Sequence, residues 1–389
     1  MEMTSLRVLI VGGGTGGHIS PGIALYEALK KKKADVRFLV GKSDLRFSYI
    51  KSLGDDLLLY GAPPFTKNIF KLPFFVLRFF FAYLKSKRIL KRLAIDTVVG
   101  MGGYVSAPML LAAKRKGVAI NLCEQNSVPG RVTRLFSKHA VNIFSTFEST
   151  REFLKYNEQY VYAGNPIRDN VFVQVSKDEA KEFFNLKHCS KVILAIGGSQ
   201  GALKINQLIF GIKKAFPNEF KDVGIIWSTG DFSHAEYKKK VHEEIDEGSI
   251  FLSPFITDVG YAYRACDIAI SRSGAGVMME LAAMGVPSIL IPYPFAADDH
   301  QSKNADEFVA KGAALKVANE DATPERVGPM IIDLLESRIK LNKMSELSLA
   351  AAKRSAGDDI AEKICGDFNF SAPAEPAETI SETEQTDRV

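Results

Sequence analysis

Two glycine-rich turns of one design, far apart in the chain, constrain the fold most. The first, Gly12-Gly13-Gly14-Thr15-Gly16-Gly17-His18, follows the apolar run Val8-Leu9-Ile10-Val11. The second, Gly197-Gly198-Ser199-Gln200-Gly201, follows Val192-Ile193-Leu194-Ala195-Ile196. Each reads as strand, tight turn and helix. Glycine tolerates positive φ and lets a ligand come close to the backbone, and a helix that starts there aims free N–H groups at an anion. Two such turns predict two Rossmann-like halves facing each other across a cleft. At 389 residues the chain has the length for two cores.

The rest of the sequence fits an α/β protein with parallel sheets. Arg7–Val11, Val36–Val40, Thr97–Val99, Ala119–Cys123, Val141–Phe144 and Tyr160–Ala163 read as short buried strands with helical stretches between several of them. Pro21–Lys33 reads as a helix with Ser20 as N-cap and Pro21 in the first helical position. Gly164-Asn165-Pro166 breaks the pattern, and strands resume at Lys191–Ile196, Gly224–Trp227, Ile250–Leu252, Ile268–Ile270 and Ser288–Ile291. Glu320–Ala361 reads as largely helical and is expected to cross back over the first half. The expected division is a first domain over 1–168, a second over 169–367 and an acidic, disordered tail over 368–389. That tail carries five acids and one arginine after Ser371, so the formal charge of +5 understates how basic the folded part is. No secretory signal is expected, because the segment after Met1 enters the first strand directly. Cys123, Cys189, Cys266 and Cys365 are widely spaced, as in a reduced, cytosolic protein.

Gly12, Gly14 and Gly17 satisfy the G-x-G-x-x-G dinucleotide pattern, but the second strand runs into Val40-Gly41-Lys42 where a ribose-binding acid belongs. An NAD-dependent dehydrogenase is thereby disfavoured. His18, just past the turn, is a candidate general base, with local backbone capping as its plainer role. Ser271-Arg272-Ser273-Gly274-Ala275-Gly276-Val277-Met278-Met279-Glu280 opens a second helix after a strand. A carboxylate there can bridge the two hydroxyls of a ribose while the helix N-terminus faces a diphosphate. An exposed, lysine-paired glutamate is the alternative. Asp298-Asp299-His300-Gln301 with Asn304 forms a polar cluster at a strand's carboxyl end, where open α/β sheets bind ligands.

Gly13–His18, Gly102-Gly103-Tyr104, Glu124-Gln125-Asn126, Gly164-Asn165-Pro166-Ile167-Arg168, Gly197–Gly201, Ser271–Glu280 and Asp298–Asn304 occur in one order between about Arg7 and Ala361. In these motifs the chain resembles the MurG family within glycosyltransferase family 28, bacterial enzymes that convert lipid I to lipid II. The resemblance implies a GT-B fold: two Rossmann-like domains, UDP-GlcNAc held mainly by the second and the lipid-linked acceptor by the first. It puts Thr15, Gly16 and Gly17 at the donor or reaction centre, Asn126 at the sugar or acceptor, and Arg168 and Ser199 near the diphosphate. It further implies that Ile256 meets uracil through its backbone, that the Arg272 and Ala275–Glu280 stretch binds the donor with Glu280 on the ribose, and that Gln301 reads sugar hydroxyls. Two positions depart from the family pattern. Trp227-Ser228 stands where His-Gln is usual, and Val277 where Thr is common. No Asp-x-Asp occurs, so no metal and no cofactor are expected.

One segment points to a membrane. Between Leu57 and Ile95 there are eight Lys or Arg and no acid, and Phe65 to Tyr83 holds seven Phe and one Tyr. Its apolar runs fall far short of the ~20 residues a spanning helix needs. An interfacial helix over 65–92, drawn to anionic lipid, fits this composition better than a buried helix or a nucleic-acid surface. The resemblance implies the cytoplasmic face of the inner membrane, and contacts with other cell-wall synthesis proteins. Another UDP-sugar enzyme of the same fold (a diacylglycerol glycosyltransferase or a UDP-GlcNAc epimerase) and a catalytically dead scaffold stay open on the sequence.

Overall fold

The computed structural model describes residues 5–66, 68–198, 201–245 and 247–371. Ser199 and the tail from residue 372 onward lie outside the described residues. Two parallel sheets make up the molecule. The first contains β1 (Arg7–Val11), β2 (Asp35–Gly41), β3 (Leu57–Tyr60), β4 (Thr97–Gly100), β5 (Ala119–Glu124), β6 (Asn142–Ser145) and β7 (Tyr160–Tyr162) in the order β3-β2-β1-β4-β5-β6-β7. The second contains β8 (Lys191–Ile196), β9 (Val223–Ser228), β10 (Ile250–Ser253), β11 (Ile268–Ser271), β12 (Ser288–Leu290) and β13 (Ala314–Lys316) in the order β10-β9-β8-β11-β12-β13. In each, the first strand lies in the middle and the order reverses beside it. That reversal opens a crevice at the carboxyl ends, the usual ligand position in an open α/β sheet. The two glycine turns follow β1 and β8, so both lie at such reversals.

The helices of the first half are α1 (Gly16–Lys31), α2 (Leu72–Arg92), α3 (Ala107–Lys116) and α4 (Arg131–Phe136). Those of the second are α5 (Lys177–Phe183), α6 (Leu203–Ala215), α7 (Asp231–Glu244), α8 (Val259–Ala265), α9 (Ala275–Ala283), α10 (His300–Ala310), α11 (Pro324–Glu336) and α12 (Arg338–Ala351). A last helix, α13 (Ala356–Ser371), returns to the first sheet, where Ile360, Ala361 and Ile364 pack with Ile19, Ile23 and Val36. Asn142 on β6 donates to Asp367 at 2.7 Å, which ties that helix down. It runs through residue 368, the expected start of the tail.

Two expectations about local structure need correction. Helix α1 begins at Gly16, with Thr15 in the N-cap position, and contains Pro21 in its interior. Proline's φ suits a helix; what it removes is one backbone donor, so the helix extends one turn earlier than Pro21 suggests. Ser20 is therefore inside the helix, and His18 sits in its first turn. β3 and β13 were not expected as strands; they extend the two sheets by pairing with β2 and β12. All four cysteines are free thiols, and burial pushes those of Cys123 and Cys266 up to about 12.

Each sheet is sandwiched between two apolar layers, which explains why its strands read as continuous hydrophobic runs. Helix α2 is the exception in its own layer. Ala82, Ser86, Ile89 and Leu90 face inward, and Tyr60 from β3 bonds Ser86 at 2.6 Å. Its first half turns Phe74, Val76, Leu77, Phe80 and Phe81 outward instead.

Candidate active site

The carboxyl ends of β1, β4, β5, β11 and β12 converge where the two halves meet. On the first side, Gly103 adopts φ +74° and packs so close to the Gly13 carbonyl that a Cβ would lie 2.5 Å from its oxygen. Only glycine fits there, and this contact locks the turn after β4 onto the turn after β1. His18 is half-buried between them. Its Nδ1 lies 3.2 Å from the Gly13 carbonyl and 3.1 Å from the Thr15 hydroxyl. A carbonyl oxygen only accepts, so Nδ1 carries the proton and Nε2 keeps its lone pair. Nε2 faces Gly102, where the lack of a side chain leaves room beside the ring. Burial lowers the His18 pKa from its ordinary value, against the opposing pull of the Glu124 and Asp44 carboxylates and the Gly13 carbonyl; His300 also lowers it. The imidazole is thereby biased towards its neutral form.

Glu124 ends β5 and organises the loop that follows. Its carboxylate accepts from Asn126 N at 3.1 Å, Gly130 N at 2.9 Å and the Thr133 hydroxyl at 2.5 Å. That loop reaches the second half through Asn304 on α10, which is fully buried. Asn304 Oδ1 accepts from the backbone and hydroxyl of Ser127 at 2.9 and 3.0 Å, and its Nδ2 donates to Asn126 Oδ1 and Ser273 O, both at 3.2 Å. One amide thus joins the loop after β5 to the loop after β11. Arg134 and Asp298 add an ion pair across the same boundary at 2.7 Å.

On the second side, Glu280 lies in the middle of α9 and is only 8% exposed, unlike a lysine-paired surface glutamate. Tyr263 donates to its Oε2 at 2.7 Å, and Ser20 of α1 bonds the carboxylate as well. Burial raises the Glu280 pKa, opposed by the nearby Arg168 guanidinium and the two hydroxyls. Ala275 and Gly276 open α9, and nothing lies within 4 Å of where a Gly276 Cβ would project. Val277 is half-buried, whereas Met278 and Met279 point into the core beneath the sheet. Ile256 is buried in the loop after β10. Gln301 Oε1 accepts from Tyr293 N at 2.9 Å, which leaves its amide nitrogen to donate elsewhere. Arg272 turns away: its Nη1 donates to Ile291 O, Pro292 O and Asn319 Oδ1, so it braces the loop after β12.

Thr15, Gly16, Gly17 and His18 thus lie together where α1 begins, Asn126 lies in the loop after β5 beside Asn304, and Ala275, Gly276 and Glu280 lie on α9 with Arg168 near the Glu280 carboxylate. Sequence reasoning placed Ser20 only as a helix cap and did not single out Asp44 or Tyr263, because each acts through a contact distant in sequence. Trp227 resolves one of the departures noted above. It is fully buried, its indole donates to Asn206 Oδ1 at 2.9 Å, and Asn206 donates to Thr229 O at 2.8 Å. Its role is to fix the backbone at Thr229-Gly230 from inside the core. Trp227→Phe leaves the buried Asn206 oxygen unpaired and is expected to lower stability by about 1–3 kcal/mol, read from the denaturation midpoint at unchanged slope.

Two Rossmann-like domains that meet at a cleft, each with its glycine turn at the sheet reversal, define the GT-B class of glycosyltransferases. The chain matches the glycosyltransferase family 28 N-terminal domain over residues 8–145 and the C-terminal domain over 192–363. It is 33% identical over 366 residues to the UDP-N-acetylglucosamine–N-acetylmuramyl-(pentapeptide) pyrophosphoryl-undecaprenol N-acetylglucosamine transferase of Christiangramia forsetii, covering 92% of this chain and 97% of that one. The protein of the same description from Thermodesulfovibrio yellowstonii is 35% identical over 363 residues, with 92% and 97% covered. Acinetobacter baumannii MurG shares the fold, with a TM-score of 0.70 at 23% identity over 93% of this chain and 99% of that one. A Neisseria meningitidis UDP-GlcNAc 2-epimerase bound to UDP-GlcNAc shares it too, with a TM-score of 0.66 at 15% identity over 93% and 100%. The chain belongs to glycosyltransferase family 28, in the MurG branch, and is an enzyme.

Proposed function

We propose that this enzyme transfers GlcNAc from UDP-GlcNAc to the C4 hydroxyl of the muramoyl sugar of lipid I, with inversion, to form lipid II for peptidoglycan. The observation that carries this reading is identity of about one third with relatives of that activity over more than nine-tenths of the chain. The site chemistry suits it. The free Nε2 of His18 takes the proton from the acceptor hydroxyl as the oxygen attacks the anomeric carbon. The departing UDP gathers negative charge at the open N-terminus of α9 and beside Arg168, and preorganised dipoles there stabilise that charge without a metal. Glu280 holds the ribose, and the backbone at Ile256 meets uracil. The Gln301 amide and Asn126 meet sugar hydroxyls, with Thr15, Gly16 and Gly17 beside the reaction centre. Incubating the protein with labelled UDP-GlcNAc and either lipid I or diacylglycerol tests the reading. Label in a lipid II product supports it. Label in a glycolipid, or a UDP-sugar epimerised without acceptor, overturns it.

The acceptor's prenyl chain stays in the bilayer, so the first domain must work at a membrane surface. Among the described residues no helix is long and apolar enough to cross a membrane. Helix α2 instead offers an interfacial face, with exposed Phe74, Leu77 and Phe81 and a row of exposed cations including Arg78, Lys85, Arg88 and Lys91. Replacing Lys71, Arg78, Lys85, Arg88 and Lys91 by glutamine removes charges worth about 1 kcal/mol each near an anionic surface. Binding to anionic liposomes is expected to collapse, most clearly at low salt, with UDP affinity intact. Turnover of membrane-embedded lipid I should fall while a short-chain soluble analogue is still used. Equal sedimentation of variant and parent with anionic liposomes would remove this face from the reading.

A further inference from the structure

The first glycine turn resembles an anion cradle, yet its Gly14 amide is already taken by a carboxylate of the chain itself. Asp44, three residues beyond the end of β2, is fully buried. Its two carboxylate oxygens accept from Gly14 N at 3.0 and 3.2 Å, and Oδ2 also accepts from Gly41 N at 2.9 Å. A Cβ on Gly13 would lie 2.4 Å from Asp44 Oδ2, so the turn is shaped around this carboxylate. On the outer side Arg46 reaches the Gly14 carbonyl at 3.4 Å. The same turn carries Thr15 and His18, and its Gly13 carbonyl fixes the His18 tautomer. A carboxylate in that position occupies the Gly14 donor, and its charge repels a phosphate.

We propose that Asp44 is the built-in anion of the first glycine turn: a positioning residue that holds the His18-bearing turn in shape and excludes phosphate groups from the start of α1. This rests on the transferase reading above insofar as it concerns turnover. It implies that the acceptor presents its sugar, not its diphosphate, to this turn. The cleft then keeps its two glycine turns distinct, one serving the proton transfer and the other free to meet the donor.

Asp44→Asn keeps the side chain's shape and one accepting oxygen, and Asp44→Ser keeps a smaller acceptor should the amide clash with the two backbone N–H groups. With either, kcat on lipid I is expected to fall about 10- to 100-fold while UDP binding by calorimetry is unchanged. The groups that bear on His18 are the carboxylates of Glu124 and Asp44, the Gly13 carbonyl and His300. Removing the Asp44 charge lowers the His18 pKa further, so the acid limb of the kcat–pH profile should move to lower pH. A purely structural role leaves that limb in place. A second measurement needs no turnover: titration with inorganic pyrophosphate at saturating UDP. The parent should bind it weakly at most under those conditions, and Asp44→Ser at least ten-fold more tightly. Pyrophosphate binding by the parent that is indifferent to Asp44→Asn overturns the proposal, as does an Asp44→Asn enzyme with parental kcat and acid limb. If the parent makes no lipid II at all, the transferase reading fails, and the pyrophosphate titration still decides the role of Asp44.

Discussion

Replacing His18 by alanine is expected to lower kcat by about 10²–10⁴, the range for losing a general base, with UDP affinity unchanged. The expectation follows from the tautomer. The Gly13 carbonyl accepts the hydrogen bond of Nδ1–H at 3.2 Å, so Nε2 is the accepting nitrogen, and it lies beside Gly102, where no side chain covers it. No other imidazole offers a lone pair from inside the turn. A pH profile supplies an independent check. A His18 base works as the neutral imidazole, so on this reading the rate falls as the pH drops through its pKa. Burial holds that pKa below the ordinary 6.5, and the acid limb of kcat is therefore expected below 6.5, with a level rate through neutrality. His18→Ala should abolish that limb. A variant that keeps most of its kcat, or a parent whose acid limb lies well above 6.5, assigns the proton transfer to another group.

The frame of the molecule is legible in the sequence because it depends on local signals. A short apolar run followed by a glycine turn marks β1 and β8, and the runs between them mark most remaining strands. β3 (Leu57–Tyr60) and β13 (Ala314–Lys316) escape because neither carries a β-branched residue, whereas the other strands of three or four residues each carry at least one. The start of α1 escapes because Pro21 imitates a first helical position while lying within the helix. The site is legible only in part, and the division has a physical basis. His18 and Glu280 sit next to glycine-rich turns, which advertise a ligand approach. Asp44 has no local signature: it stands 30 residues from the Gly14 amide it binds. Asn304 stands 177 residues from Ser127, and only the folded sheets bring them together. Tyr263, 17 residues before Glu280, reads as one more aromatic on a short helix until its hydroxyl is seen on the carboxylate. Trp227 carries the opposite lesson, since an apparent change at the donor site proves to be a change in the core.

Replacing Glu280 should have the largest effect on nucleotide affinity. A carboxylate that accepts two ribose hydroxyls loses roughly 1.5–3 kcal/mol per charge-assisted hydrogen bond on removal, and about 1.4 kcal/mol is tenfold in affinity. Glu280→Ala is thus expected to weaken UDP binding by about 10²-fold or more and to raise the KM for UDP-GlcNAc. The alanine variant carries a second effect that must be separated from the first. Tyr263 donates to Glu280 at 2.7 Å inside the core, so its hydroxyl is left unpaired and stability falls by about 1–3 kcal/mol. Glu280→Gln separates the two, because the amide oxygen still accepts from Tyr263 while the charge is gone. The glutamine variant should keep nearly parental stability and still lose about tenfold or more in UDP affinity, since the lost charge weakens each ribose bond. Burial raises the Glu280 pKa above its ordinary 4.5. UDP affinity in the parent should therefore fall as the pH drops towards and through that raised value, where the carboxylate takes up a proton, and this loss should be absent from Glu280→Gln. Calorimetric titration of UDP against both variants at neutral and acidic pH reads all three effects. A folded Glu280→Gln protein that binds UDP as tightly as the parent would show that the carboxylate serves the packing of α1, α8 and α9 and not the ribose.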